Sequence, residues 1–313
     1  MDRKAAFEEA FLEASWAPRP RGTCPFRPCP ASASAGPADL FFEALTEEEL
    51  AKAVALAFAE KYPFYVIGGG YNLLFDDAGY RGLIVRNRLE GVRREGQCLS
   101  VLSGTSLSCV LNEAVEAGLT GLEFLAGIPG TVGGADLRQR RGLRLEHRGR
   151  PPLGDRPLAR RGAQDRRQGG PGLRLPGFGP QERAGIVLKA TLLCSPGDRR
   201  RVGGPDQGYP RETMGQAPPH GTACAGSYFK NSCSASGARV AAGQLLEQAG
   251  ARGLSVGDAA VSDVHCNFIV NRGNARAADV LRLAEELKER VFRTFGVRLE
   301  EEVIHLRADA SML

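Results

Sequence analysis

The sequence predicts a protein of mixed helices and strands, with material for two or three domains. Three observations carry that expectation. The chain has 313 residues, enough for more than one buried core. It is 42% hydrophobic and 25% charged, a globular composition that excludes wholesale disorder. Segments with helical apolar spacing are interspersed with short apolar runs bounded by glycine, the pattern of strands. No apolar run approaches the roughly 20 residues of a bilayer-spanning helix. The start, MDRKAAFEEAFLEASW, carries acids and no apolar signal core. Eight cysteines (24, 29, 98, 109, 194, 224, 233 and 266) form no CxxC pair and read as reduced thiols of a cytoplasmic protein.

The elements follow in chain order. Residues 1–15 suit an amphipathic helix with Phe7, Phe11 and Leu12 on one face, and residues 17–37, rich in Pro, Ala, Ser and Cys, suit a loop. Thr46-Glu47-Glu48-Glu49 is a capping box opening a helix on which Leu50, Val54 and Phe58 recur every fourth position. Phe64-Tyr65-Val66-Ile67 is a strand that ends abruptly in Gly68-Gly69-Gly70-Tyr71-Asn72, and Leu83-Ile84-Val85 is another strand. Leu107, Val110, Leu111, Ala114 and Val115 mark a helix stopped by Gly118. Residues 127–134 (GIPGTVGG) are too glycine-rich for a helix. Residues 185–190 form a strand, and 195–223 are polar and loop-like. A helix spans 241–249 and a strand 267–270. A long helix near 276–294 turns Val280, Leu283, Leu287, Val291 and Phe295 to the core, with Gly296 at its end.

The net charge of +5 does not mark a nucleic-acid-binding face. Residues 136–183 hold 13 Arg and 5 acids, a balance of +8, so the other 265 residues sum to −3. The basicity belongs to one segment rather than to the surface of a folded domain. That segment contains no Val, Ile, Thr, Ser, Tyr, Asn or Lys; with few β-branched or aromatic residues it has little from which to build strands.

The two glycine turns, 68–72 and 127–134, are candidate dinucleotide cradles. Glycine lets backbone N–H groups line a shared concavity with no Cβ in the way of a pyrophosphate. Each alone is equally an ordinary tight turn. Neither has the GxGxxG-then-helix spacing of a Rossmann site or a GK[ST] ending. Ser227, beside Lys230 and Asn231, reads by spacing alone as a turn serine, and Glu302 closes an acidic run that by itself suits a solvated face. His265 lies just before the strand holding Asn267 and suits a structural role. No His/Cys grouping has metal-ligand spacing, so no metal is expected.

Six blocks in order identify a family: PFYVIGGGYNLLF (63–75), GLTGLEFLAGIPGTVGGA (118–135), GIVLKATL (185–192), AGSYFKN (225–231), VSDVHCNFIVN (261–271) and FGVRLEEEV (295–303). Together they resemble the UDP-N-acetylenolpyruvoylglucosamine reductase (MurB) family of bacterial wall synthesis. The resemblance implies an α+β fold: a two-part FAD-binding domain (PCMH/vanillyl-alcohol-oxidase-like) at 37–195 and a smaller α+β substrate domain at 205–307, preceded by a helix and loop at 1–36. It implies a flavin enzyme that draws hydride from NADPH, passes it to an enolpyruvyl double bond and yields UDP-N-acetylmuramate for peptidoglycan. Hydride added to the β-carbon of an unsaturated carboxylate leaves an enolate, which needs electrostatic stabilisation and a proton. By resemblance Ser227 donates that proton and Glu302 is the second acid. Lys230, Asn231 and Asn267 contact the substrate. Gly68, Gly69, Gly70, Tyr71, Asn72, Leu73, Gly127, Ile128, Pro129, Gly130, Thr131, Gly133 and Gly134 hold FAD. The implied partners are the UDP-sugar and no nucleic acid, membrane or obligate protein, in a cytoplasmic setting.

The chain departs from the family at Tyr71, where Ser is usual, and at Ser232, where Pro is usual. Two motifs are missing between 135 and 185: an Asn-Ala-Gly-Ala-Tyr-Gly stretch, and Phe-Gly-Tyr-Arg with the family's third catalytic residue. Both can be read one base out of frame. Synonymous codons for 136–144 then spell Ile-Phe-Val-Asn-Ala-Gly-Ala-Tyr, and those for 173–178 spell Phe-Gly-Tyr-Arg-Asp-Ser. Codons for 31–36, read from the third base, spell Phe-Arg-Ile-Gly-Gly, which the family carries there. The expectation is a frame slip near 21–36 and 136–183, leaving 136–183 irregular, the catalytic Arg unassigned and activity in doubt. The competing readings are a genuine Arg-rich insertion, an inactive relic, another flavin oxidoreductase on the same scaffold (against which blocks 225–231 and 295–303 argue), and a nucleic-acid binder, which would show steep salt dependence.

Overall fold

The computed structural model describes residues 3–13, 21–24, 36–135, 143–147, 186–197, 218–219, 221–233 and 239–309. The frame-slip expectations for 25–35, 136–142 and 148–183 lie outside these residues.

The first sheet has the order β1 (Arg21–Cys24), β2 (Ala38–Ala44), β5 (Tyr80–Asn87), β3 (Phe64–Ile67). Strands β2 and β3 run parallel to β5, and β1 pairs antiparallel with β2. Alternation along β2 sends Leu40 and Phe42 to one face and Phe41 to the other. The first face packs on α1 (Arg3–Glu13) and α2 (Glu47–Ala59), with Phe7, Phe11, Leu50 and Val54 in one cluster. Phe7 stacks on Tyr62 at 4.2 Å between ring centroids. The capping box at Thr46 forms as expected: Thr46 Oγ1 accepts from Glu49 N, and Glu49 Oε2 accepts from Thr46 N, both at 3.1 Å. Leu12, expected on the apolar face of α1, is 37% exposed, because positions 7 and 11 alone lie over the sheet.

The second sheet is antiparallel throughout: β6 (Val92–Glu95), β7 (Cys98–Leu102), β10 (Val187–Leu193) and β9 (Leu143–His147). Helix α3 (Leu107–Glu116) packs on it through Leu107, Val110 and Leu111. β8 (Leu119–Thr120) and β11 (Ser195–Pro196) form a separate antiparallel pair of two residues each. Two strands correct the sequence reading. β1 lies in the stretch expected as loop, and β9 lies in the Arg-rich segment expected to be strand-poor. In each case a neighbouring strand supplies the ladder, and Leu143-Arg144-Leu145-Glu146 alternates with period two, so pairing outweighs composition.

The third sheet has the order β12 (Cys224–Ser227), β17 (Phe268–Asn271), β16 (Ala259–Val261), β15 (Ser255–Val256). It packs with α4 (Ala242–Gln248) and α5 (Ala277–Phe295) around Leu245, Leu246, Leu283, Leu287 and Val291. A short pair joins β13 (Ser232–Cys233) to β14 (Arg239–Val240). Gly296 ends α5 in the left-handed conformation. Phe295, expected in the core, is 38% exposed, since the last turn of α5 overhangs the sheet.

The C-terminal strand returns to the first half of the molecule. β18 (Ile304–Leu306) pairs in parallel with β4 (Leu73–Phe75), Ile304 opposite Leu73. Asp76 N donates to Leu306 O at 3.0 Å. The Asp77 carboxylate accepts from the first free N–H groups of α5, Ala277 at 2.7 Å and Ala278 at 3.2 Å. A helix N-terminus favours such an anion. Among the described residues, no helix is long and apolar enough to cross a membrane.

Candidate active site

The first glycine turn leaves β3 at Gly68 and enters β4 at Leu73. The second follows the 3-10 turn Glu123–Leu125 and is stitched to the segment before α3. Val132 N donates to Thr105 O at 3.0 Å, Gly133 N to Ser103 O at 2.7 Å, and Leu107 N to Gly130 O at 3.0 Å. Within the turn, Ile128 N donates to Leu125 O and Gly134 N to Thr131 O. Pro129 lies between Ile128 and the positive-φ Gly130. Below the turn, buried Asn87 and Ser103 bond at 2.7 Å. The Ser103–Ser106 segment is therefore part of the scaffold that sequence reading missed. Its signal was a Ser-Gly-Thr-Ser run between strand and helix, with Ser106 Oγ capping α3 at Cys109 N.

The two turns meet. A Cβ on Gly68 would collide with the Thr131 hydroxyl, so the cradles close on each other only because Gly68 has none. The ring of Tyr71 lies against Gly69 and is 40% exposed. A paired glycine platform of this kind suits the close approach of a dinucleotide.

Ser227 ends β12 beside a bulge: Cys224 pairs with Val270 and Ser227 with Phe268, so the β12 side carries one extra residue. Gly226, at φ 80°, makes the bulge possible and lies against the Tyr71 carbonyl. Next in sequence, Tyr228 O accepts from Glu302 N at 2.8 Å. Lys230 N donates to Glu300 O at 2.8 Å, and Phe229 bridges Glu301. The segments bearing Ser227 and Glu302 thus run antiparallel and adjacent. Asn72 joins them from the first glycine turn, its Nδ2 donating to Glu302 O at 2.9 Å.

The acidic run divides its work. Glu301 pairs with Lys288 at 2.6 Å, and Glu300 with Lys230 at 3.4 Å. Burial lowers the Lys288 ammonium's proton affinity, but hydrogen bonds to Glu285 and Glu301 outweigh it and hold its pKa above the ordinary value. Burial, with Glu301 and Glu285 nearby, pushes the Tyr228 phenol up.

Asn267 is 5% exposed, and its carboxamide is engaged at both ends. Phe229 N donates to Oδ1, and Nδ2 donates to Phe229 O, each at 2.9 Å. The carboxamide thus clamps the segment between Ser227 and Lys230. His265 Nδ1 accepts from Asn267 N at 3.0 Å, and burial keeps the His265 pKa below its ordinary value, consistent with a neutral acceptor ring. Asn231 Oδ1 accepts from Ala242 N at 3.1 Å, at the start of α4. Lys230 is exposed. Among the described residues, no group of three or more His, Cys, Asp or Glu could hold a metal.

Comparison with known proteins agrees with this layout. Residues 38–149 match the model of an FAD binding domain, and residues 218–306 match the UDP-N-acetylenolpyruvoylglucosamine reductase C-terminal domain. A UDP-N-acetylenolpyruvoylglucosamine reductase from Geotalea uraniireducens is 37% identical over 275 residues, 86% of this chain and 87% of that protein. UDP-N-acetylenolpyruvoylglucosamine reductase 2 from Symbiobacterium thermophilum is 37% identical over 274 residues, 86% of each. The crystal structure of the Thermus caldophilus enzyme superposes with a TM-score of 0.61 at 28% identity, covering 88% of this chain and 95% of that one. With its glycine cradles, its bulged serine strand and its returning C-terminal strand, the chain belongs to the UDP-N-acetylenolpyruvoylglucosamine reductase family.

Proposed function

We propose that the chain works as the FAD-dependent UDP-N-acetylmuramate dehydrogenase of peptidoglycan synthesis, with Ser227 and Glu302 as its acids. The observation that carries this reading is the convergence at 68–72. One turn of the cofactor cradle touches Gly226 through the Tyr71 carbonyl and Glu302 through the Asn72 carboxamide. FAD, reduced by NADPH, supplies a hydride to the enolpyruvyl double bond of a UDP-sugar. The chain's own residues then have three tasks. The turns 68–72 and 127–134 form the platform on which the dinucleotide lies. Lys230 and Asn231, which follow Ser227 just beyond β12, take the anionic substrate. Ser227 gives a proton to the carbon opposite the hydride, and Glu302 steadies the charge change beside it. Positioned acids of this kind are worth roughly 10²–10⁴-fold in rate.

The arrangement supports two functional units, 37–195 for the flavin and 205–307 for the substrate. The family's Phe-Gly-Tyr-Arg motif is missing from the sequence between 135 and 185, so no Arg is assigned to the third catalytic role. A wild-type chain that carries that Arg only in another frame should bind FAD and turn over poorly.

The test is turnover of UDP-N-acetylglucosamine enolpyruvate by FAD-loaded protein with NADPH. Ser227→Ala should retain flavin and lose about 10²-fold or more in kcat. Flavin loss in the same variant, or undiminished turnover, would remove Ser227 from the role.

A further inference from the structure

We infer that Asn72 is a positioning residue for Glu302, so that the turn gripping the cofactor also sets the direction of the second acid. The inference deepens the reading above and rests on it for the role of Glu302.

Glu302 is held at both of its main-chain polar groups by two separate parts of the chain. Its N–H donates to Tyr228 O at 2.8 Å, on the substrate side. Its C=O accepts from Asn72 Nδ2 at 2.9 Å, on the cofactor side. Two residues on, Ile304 N donates to Asn72 O at 3.0 Å, which leads into the β4–β18 register at Ile304 and Leu73. Glu302 lies just before that ladder. A residue inside a strand has its carbonyl fixed by the neighbouring backbone; here a side-chain amide takes the place of the missing rung.

The two main-chain hydrogen bonds of Glu302 set where its Cα–Cβ bond points. Without Asn72 the Glu302 carbonyl loses its cofactor-side partner, and the 302–303 peptide keeps only the longer Val303 N–H contact to Tyr228 O at 3.5 Å. A misplacement of about 1 Å in a catalytic group costs on the order of 10²-fold. Asn72 also lies within the expected cofactor-binding stretch, yet its carboxamide donor is directed at Glu302 rather than at the glycine cradle.

The experiment uses the full chain, with Asn72→Ala, Asn72→Asp, Glu302→Gln and the double variant N72A/E302Q. The first readout is deuterium uptake over residues 300–306, with and without added FAD. Asn72→Ala should raise exchange at 302–304 severalfold, because a restrained segment becomes locally open. The second readout separates flavin reduction by NADPH from reoxidation by UDP-N-acetylglucosamine enolpyruvate. Asn72→Ala should slow reoxidation about 10- to 100-fold more than reduction. Asn72→Asp, which sets an oxygen against the Glu302 carbonyl, should not rescue it. In the double variant the loss should not exceed that of Glu302→Gln alone, as expected when one residue acts through the other.

Equal losses in both half-reactions, additive losses in the double variant, or unchanged exchange at 302–304 would each overturn the inference. Wild-type protein that takes up no FAD, or that NADPH fails to bleach, would instead overturn the functional reading. The exchange comparison of wild type with Asn72→Ala would then decide the clamp by itself.

Discussion

Replacing Asn267 by Ala would remove both ends of a buried clamp at once. The carboxamide satisfies Phe229 N–H and Phe229 C=O at 2.9 Å each, and Phe229 is 1% exposed. Each buried backbone group left unpaired costs roughly 1–3 kcal/mol. The pair therefore predicts a loss of about 2–6 kcal/mol, reduced if a water enters the space. Against the roughly 5–15 kcal/mol by which proteins are stable, that loss is severe. Asn267→Asp keeps an acceptor for Phe229 N–H but sets a second oxygen against Phe229 C=O, so it should not restore stability. The assay is urea unfolding followed by circular dichroism, with linear extrapolation. A loss below about 0.5 kcal/mol, accompanied by a raised KM for the UDP-sugar, would refute the clamp and return Asn267 to substrate binding.

Three further outcomes follow from other parts of the structure. Asp77→Ala deletes a carboxylate cap that accepts from the start of α5 across 200 and 201 residues; it should cost about 1–2 kcal/mol in the same unfolding assay, and Asp77→Asn should recover part of it. His305 is 9% exposed, its Nε2 buried without a hydrogen bond and 3.6 Å from Asp76 Oδ2; burial lowers its pKa, against the pull of Asp76. Protonation then favours the unfolded chain. Its contribution is complete above the ordinary imidazole value near about 6.5 and declines as pH falls through the lowered value. His305→Phe should flatten the fall in melting temperature from about pH 7 to pH 5. Finally, the coding DNA across residues 130–190 should show the two missing family motifs in a shifted frame, and an unbroken frame matching near relatives would dispose of that account.

The legible parts of the molecule are those encoded locally. The capping box at Thr46, the helix stop at Gly296 and the strand run at Phe64 each announce themselves within a few residues. Both glycine turns were visible for the same reason. What stayed hidden is long-range. β4 and β18 have three residues each and lie some 230 positions apart, and neither is marked by propensity; only their pairing makes them strands. Asp77, Asn72 and Asn267 act through partners distant in sequence, so no spacing rule could place them. Phe295 and Leu12 fit the helical period yet lie beyond the surface that their helices cover. The Arg-rich segment concealed β9 because composition was read over 48 residues while the pairing uses five.

The most direct measurement is the flavin stoichiometry and turnover of the chain expressed from a verified open reading frame. The account predicts FAD bound near one per polypeptide, absorbance bleached by NADPH, and its return on adding UDP-N-acetylglucosamine enolpyruvate only while Ser227 and Glu302 are intact. Protein that refuses FAD, or whose reoxidation by that sugar nucleotide survives in both Ser227→Ala and Glu302→Gln, would contradict it.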